Sequence, residues 1–89
     1  MNMFVIRKVA DTLGCELHQI ADKMMEAQTN TGLYYEVCLA ALHYKTNTGD
    51  DMTETEKAVT SMEQLNAAGQ EFIKAYAAFF GLKGDSEGE

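Results

Sequence analysis

The sequence predicts a small all-α domain, and three observations support this prediction. Proline, which interrupts helices, is absent from the 89 residues, and β-branched residues are scattered rather than grouped into strands. Residues that favour helices, such as alanine, leucine, methionine and glutamate, are common. Apolar residues recur at steps of three and four, which places them on one side of a helix. We expect one helical domain over residues 1–82 and a flexible acidic tail at 83–89.

Two helices are predicted at the N-terminus, over residues 3–13 and 15–28. Each shows helical spacing of its apolar residues, and Gly14 stands between them. In a continuous helix Gly14 would cost about 1 kcal/mol relative to alanine. In a turn it would cost nothing and could adopt a positive φ. Both readings are consistent with the sequence, and we favour the turn.

Residues 6–25, IRKVADTLGCELHQIADKMM, resemble the helix-turn-helix unit of DNA-binding proteins. The resemblance rests on Ala10 at a close helix approach, on the turn at residues 13–15, and on Ile20, which returns the second helix to the core; Val9 and Met24 complete the expected buried set. It covers about 20 residues and indicates no particular family. It implies a second helix that enters the major groove. The residues it assigns to DNA are Arg7, Lys8, His18, Gln19 and Lys23.

The second helix departs from the usual composition of a DNA-reading helix. The side that would face the groove carries the carboxylates Glu16 and Asp22 beside Leu17, His18 and Ala21. Arginine, lysine and amide side chains are the usual contacts to bases and phosphates. DNA binding is therefore the alternative hypothesis, and a packing role for the helix pair is the simpler one.

A third helix is predicted over residues 32–45, where Glu36 and His43 are the strongly polar exceptions in an apolar run. Such a helix is expected to be central and buried. Cys15 and Cys38 lie among apolar residues, so we interpret both as buried thiols rather than as disulfide or zinc ligands. The histidines lack the neighbours that a metal site requires.

The longest predicted helix covers residues 53–81, beginning at a capping box formed by Thr53 and Glu56. It would span roughly 40 Å, against about 15–20 Å for its neighbours. An apolar stripe on so long a helix would stay partly uncovered unless another chain packed on it. Phe79 and Phe80 point about 100° apart, so one of them is expected to meet a partner. The residues assigned to self-association are Met62, Leu65, Phe72, Tyr76, Phe79 and Phe80. Residues 66–69 are the point where this helix could kink.

The net charge of −7 is concentrated in residues 50–89, which hold three lysines against nine carboxylates. Such a surface repels nucleic acid and favours a basic partner. The residues assigned to this acidic face are Asp50, Asp51, Glu54, Glu56 and Glu63. Their spacing does not match a calcium loop, so they are expected to favour helix N-termini instead.

The leading functional hypothesis is a non-enzymatic protein-binding module. It would self-associate through the long helix as a homodimer or higher oligomer, and its acidic face would engage or inhibit a basic protein. The alternative is a small helix-turn-helix transcriptional regulator. No cofactor, metal or small molecule is implied. With no signal peptide and no apolar run long enough to span a bilayer, a cytoplasmic location without membrane contact is expected.

Overall fold

The computed structural model describes residues 1–81, which form helices joined by short connections and contain no strand. The elements are α1 (Met3–Leu13), a 3₁₀ turn (Leu17–Gln19), α2 (Ile20–Ala27), α3 (Thr31–Thr46), α4 (Thr53–Ala58) and α5 (Met62–Phe80). The prediction of an all-α fold is confirmed. The expected acidic tail at 83–89 lies outside the described residues. Within residues 1–81, no helix is both long and apolar enough to cross a membrane.

Helix α3 is the centre of the fold, because α1, α2 and α5 all pack against it. The five successive residues from Val37 to Ala41 are all buried, so the rest of the protein covers α3 around most of its circumference. This confirms the predicted central helix. The main core also contains Ile6 and Val9 from α1 and Phe72 from α5.

The N-terminal helix pair is joined by a turn at Gly14. This glycine adopts φ 71° and ψ 34°, and its N–H donates to carbonyls at the end of α1, which confirms the preferred reading. Val9, Ala10 and Ile20 are buried as predicted, whereas Met24 is half-buried. The second helix begins later than predicted, with a 3₁₀ turn after residue 16. It does so because the Glu16 N–H donates to Gln19 Oε1 at 2.8 Å, which caps the turn.

The prediction of one helix over residues 53–81 is wrong, because the chain breaks between α4 and α5. Val59 and Ser61 have extended backbone conformations. Gln64 Oε1 accepts hydrogen bonds from the Thr60 N–H at 2.7 Å and the Ser61 N–H at 3.3 Å. Ser61 and Gln64 thereby form a capping box that starts a new helix at Met62.

The predicted capping box of Thr53 and Glu56 does not form. Thr53 is already the first helical residue, and Met52 precedes it without a side-chain cap. The Thr53 N–H instead donates to Asp51 Oδ1 at 3.0 Å. The carboxylate of Glu56 accepts a hydrogen bond from the Tyr35 hydroxyl and so holds α4 against α3.

Helix α5 runs without a break through Gly69, where the sequence suggested a kink. Gly69 marks the closest approach of α5 to α3. A Cβ atom at this position would lie 2.7 Å from Cys38 Sγ, well inside van der Waals contact. The missing side chain therefore lets the two helices pack at this point.

Candidate functional site

The stripe assigned to self-association divides into a buried part and an exposed part. Leu65, Phe72 and Tyr76 are buried in the core of their own chain, so they are not available to a partner in this fold. This corrects their assignment, and the cause is the break at residues 59–61, which lets α5 lie along α3. Met62 and Phe79 remain 50% and 52% exposed, respectively.

The aromatic residues at the end of α5 lie beside the start of the second helix. Phe79 and Phe80 are both exposed, although the Phe80 ring packs against the Tyr76 ring at a centroid distance of 4.7 Å. The Tyr76 hydroxyl donates to the Leu17 carbonyl at 3.1 Å. This contact places the C-terminal end of α5 next to the 3₁₀ turn.

Several residues of the predicted acidic face have local structural partners. Asp50 Oδ1 accepts from Lys8 Nζ at 3.1 Å and from the Tyr44 hydroxyl at 3.0 Å, and these bonds lower the pKa of Asp50. The Asp51 carboxylate accepts from the Thr53 N–H at the start of α4, and the Glu56 carboxylate accepts from the Tyr35 hydroxyl of α3. Glu54 and Glu63 are exposed in the first turns of α4 and α5, where a carboxylate is favourable. Within residues 1–81, no three histidine, cysteine or acidic side chains are grouped as metal ligands.

The residues assigned to DNA do not form a continuous basic surface. Lys8 is paired with Asp50, and Lys23 Nζ lies 3.9 Å from Glu26 Oε1. The side-chain oxygen of Gln19 already accepts a hydrogen bond from the Glu16 N–H. Arg7 and His18 are exposed. A phosphate backbone would therefore meet few cations that are not already paired with a carboxylate.

Both cysteines and His43 lie in or beside the core. Cys38 is buried and Cys15 half-buried, both as free thiols, and burial raises the pKa of each. His43 is also buried: its Nε2–H donates to the Gly49 carbonyl at 2.7 Å, so its Nδ1 accepts from the Thr55 hydroxyl at 2.6 Å in the neutral form. His43 thus ties both the loop after α3 and helix α4 to the core.

A groove lies between α2, the start of α3 and α5, and we call it the α2–α5 groove. It has a volume of about 490 Å³ and is open along one side. Met25 is 70% exposed at this groove and Ile73 is 39% exposed. None of its eight lining residues is charged. They are Met24, Met25, Ala27, Gln28, Thr31, Tyr34, Gln70 and Ile73.

Helix α5 contributes Gln70 and Ile73 to the groove. Met62 does not extend this lining, since Gly69, seven residues after it on the same line of the helix, is buried against Cys38 of α3. Helix α2 has eight residues, so it borders the groove over about 12 Å. Leu17, just before α2, lies beside Tyr76, and Met24 and Met25 line the groove together with Ile73.

Sequence reasoning did not assign Met25 or Ile73 to a binding surface. The signal was present in the adjacent pairs Met24-Met25 and Phe72-Ile73. Neighbouring residues on a helix point about 100° apart, so the two members of such a pair cannot both face a thin core.

No protein-family model, curated protein sequence or solved structure matches this chain. The groove is therefore interpreted from its own geometry and chemistry.

Proposed function

We propose that this protein is a non-enzymatic binding module whose α2–α5 groove holds an apolar helix of a partner protein. The observation that carries the proposal is the exposure of Met25 and Ile73 on facing walls of one uncharged groove. Exposed apolar side chains that face each other across a groove lose water contact when a partner fills the groove. The predicted binding role is thus retained, and the proposed binding surface is the α2–α5 groove instead of the apolar stripe of the long helix.

The size of the groove suits a short helix as the occupant. Helix α2, which forms one wall of the groove, is about 12 Å long, which matches about two turns of a bound helix. Amphipathic helices bind such grooves through apolar residues spaced three and four apart. The methionines of α2 suit this role, since their flexible side chains adapt to an incoming surface. Gln28 and Gln70 supply polar groups in the lining, whereas the Tyr34 hydroxyl already donates to Asn66 Oδ1 at 2.6 Å.

A second copy of the chain is a less favourable occupant than a different protein. Each copy carries a net charge of −7, so a homodimer brings two acidic molecules together. The length argument for self-association also no longer applies, since α5 packs along α3 and the chain breaks before Met62.

DNA binding is the weaker alternative. A binder of this kind would lose affinity steeply with rising salt and would depend on Arg7, Lys8 and Lys23. The pairing of Lys8 with Asp50 and of Lys23 with Glu26 reduces what these residues offer to phosphates. Measurable duplex binding at low salt, lost when Arg7 is neutralised, would favour this alternative over the groove.

The test of the groove is a titration followed by methyl NMR. The probe is a synthetic amphipathic helix of about 18 residues with leucines on one face and uncharged glutamine and serine on the other. We expect shifts concentrated at the methyl groups of Met24, Met25 and Ile73. The double variant Met25→Ser/Ile73→Ser should weaken binding about tenfold or more, because each change removes apolar contact area.

The matched control is Met3→Ser, which alters another exposed methionine on α1. It should bind the probe as the unaltered protein does. Equal binding by the groove variant and the unaltered protein would contradict the proposal. Light scattering adds a separate check: a solution mass of twice 9.9 kDa that returns to the monomer in the groove variant would identify a second copy as the occupant.

A further inference from the structure

Helix α4 is attached to the fold differently from the other helices. None of its six residues is buried, whereas α1, α2, α3 and α5 each contribute buried residues. Its apolar anchors lie just outside the helix, at Met52 and Val59, and both are half-buried. Because hydrophobic stabilisation scales with the apolar area removed from water, α4 itself gains little of it.

Polar contacts hold α4 on α3. The Thr55 hydroxyl donates to His43 Nδ1 at 2.6 Å, and the Tyr35 hydroxyl donates to the Glu56 carboxylate. Beside these two bonds, a cleft of about 300 Å³ lies between the two helices, so they are not closely packed there. Hydrogen bonds of this kind are replaced by bonds to water when a contact opens, so each adds only modestly to stability.

The surface beneath α4 is a small apolar cluster that is separate from the main core. Cys38, Leu39 and Leu65 are its buried members, and Met52 and Val59 pack against it. Residues 47–61 contribute no buried residue to the main core. Displacement of α4 would therefore uncover the small cluster and leave the main-core contacts among α1, α2, α3 and α5 in place.

We infer that residues 52–59, which we call the α4 segment, open as a unit while the rest of residues 1–81 stays folded. The segment is then a movable cover that controls the exposure of the small apolar cluster. Regions with few buried apolar contacts open at free energies well below that of global unfolding. This inference does not depend on the proposed function, because the α2–α5 groove contains no residue of the segment.

Native-state hydrogen exchange at low urea, followed by NMR, tests the inference. The Glu56 N–H donates to the Met52 carbonyl and the Val59 N–H to the Glu56 carbonyl, so both amides report on the segment. We expect them to exchange about a hundredfold or more faster than the amides of Ala40 and Ala41 in α3. Their protection should be similar, and it should depend less on urea, because local opening exposes less surface.

Two results would overturn the inference. Equal exchange and equal urea dependence in α4 and α3 would mean that the segment opens only by global unfolding. Unequal protection of Glu56 and Val59, without any urea dependence, would mean that single turns fray and that the segment does not open as a unit.

Two substitutions separate local opening from global unfolding. Tyr35→Phe removes a bond that exists only in the closed form, so it should speed exchange about fivefold in the segment and in α3 alike. Ile6→Val weakens the main core, which the open form retains, so it should speed exchange about fivefold in α3 alone. If Ile6→Val speeds exchange in the segment as much as in α3, the segment does not open independently and the inference fails.

The bond to His43 offers a matched pair of variants at one position. Thr55→Val removes the hydroxyl and should speed exchange of the segment about fivefold or more, because a nitrogen of the buried His43 loses its partner. Thr55→Ser retains a hydroxyl and should stay within about twofold of the unaltered protein. Equal rates in the valine and serine variants would show that this bond does not hold the segment closed, which contradicts the inference.

Discussion

Helix α5 has two seams with the rest of the protein, and they are built differently. Against α3 the seam is closed: Leu65, Phe72 and Tyr76 are buried, and Gly69 lets Cys38 approach directly. Against α2 the seam is open, and Ile73 remains partly exposed beside a groove of about 490 Å³. One helix therefore serves stability on one side and offers contact area on the other.

The difference shows how a small chain can keep an apolar surface exposed without losing its fold. Buried core residues account for most of the hydrophobic stabilisation, so the side chains of the open seam can change at little cost to folding. Substitutions in the closed seam should therefore reduce stability more than substitutions of the exposed side chains in the open seam.

The sharpest test of this contrast is a pair of adjacent residues, Phe72 and Ile73. Phe72→Ala should lower the free energy of unfolding by about 3–5 kcal/mol, because the fully buried ring leaves a cavity. Ile73→Ala should lower it by about 1 kcal/mol or less, because that side chain already meets water. Urea denaturation followed by circular dichroism measures both. Similar losses for the two variants would contradict the division of α5 into two seams.

A second test concerns the contact of Gly69 with Cys38. Gly69→Ala adds a methyl group that would lie 2.7 Å from the buried sulfur, and such overpacking costs about 1–3 kcal/mol. Alanine also favours the helix by about 1 kcal/mol, which offsets part of this cost. In a Cys38→Ala background the sulfur is gone, and the helical preference should make Gly69→Ala stabilising.

The double-mutant cycle isolates the contact from the separate effects of the two substitutions. We expect a coupling free energy of about 1–3 kcal/mol between positions 38 and 69, measured from urea unfolding of the four proteins. Additive effects would mean that α3 and α5 can move apart at Gly69, and the seam would then not be closed by this contact.

A third test concerns where α5 begins. Ser61→Ala should lower the free energy of unfolding by about 1 kcal/mol, because it removes the side chain that caps the first turn of α5. Thr48→Ala, in the exposed loop after α3, is the control and should change it by less than about 0.5 kcal/mol. Thermal unfolding of the Ser61→Ala and Thr48→Ala proteins measures both changes in stability. A Ser61→Ala protein as stable as the control would show that α5 is held in place by its packing alone.

Part of this architecture could be predicted from the sequence. The helical class, the central position of α3 and the turn at Gly14 follow from composition, apolar spacing and glycine geometry. The break at residues 59–61 was not predicted, because residues 53–68 contain no glycine or proline to mark it. Tertiary contacts fix the position of α4 instead: Tyr35 holds the Glu56 carboxylate against α3.

The groove could be predicted only in part, for a related reason. Helical spacing shows that Phe72 and Ile73 cannot both point into a thin core. It does not show that α2 and α5 would border one groove lined by Met25 and Ile73. That arrangement depends on long-range contacts such as the bond from Tyr76 to the Leu17 carbonyl. Gly69 was misread for the same reason, since its contact with Cys38 joins distant parts of the chain.

The smallest expected effect is at Met25, on the other wall of the open seam, and its neighbour Met24 serves as the comparison. Met25→Ser should change the free energy of unfolding by less than about 0.5 kcal/mol, since its side chain is mostly in water. Met24→Ser should cost about 1–3 kcal/mol, because Met24 is half-buried and packs against the core. Urea denaturation at one temperature gives both values. A large loss at Met25 would mean that the groove wall supports the fold, and its exposed methionine could then not be explained by binding alone.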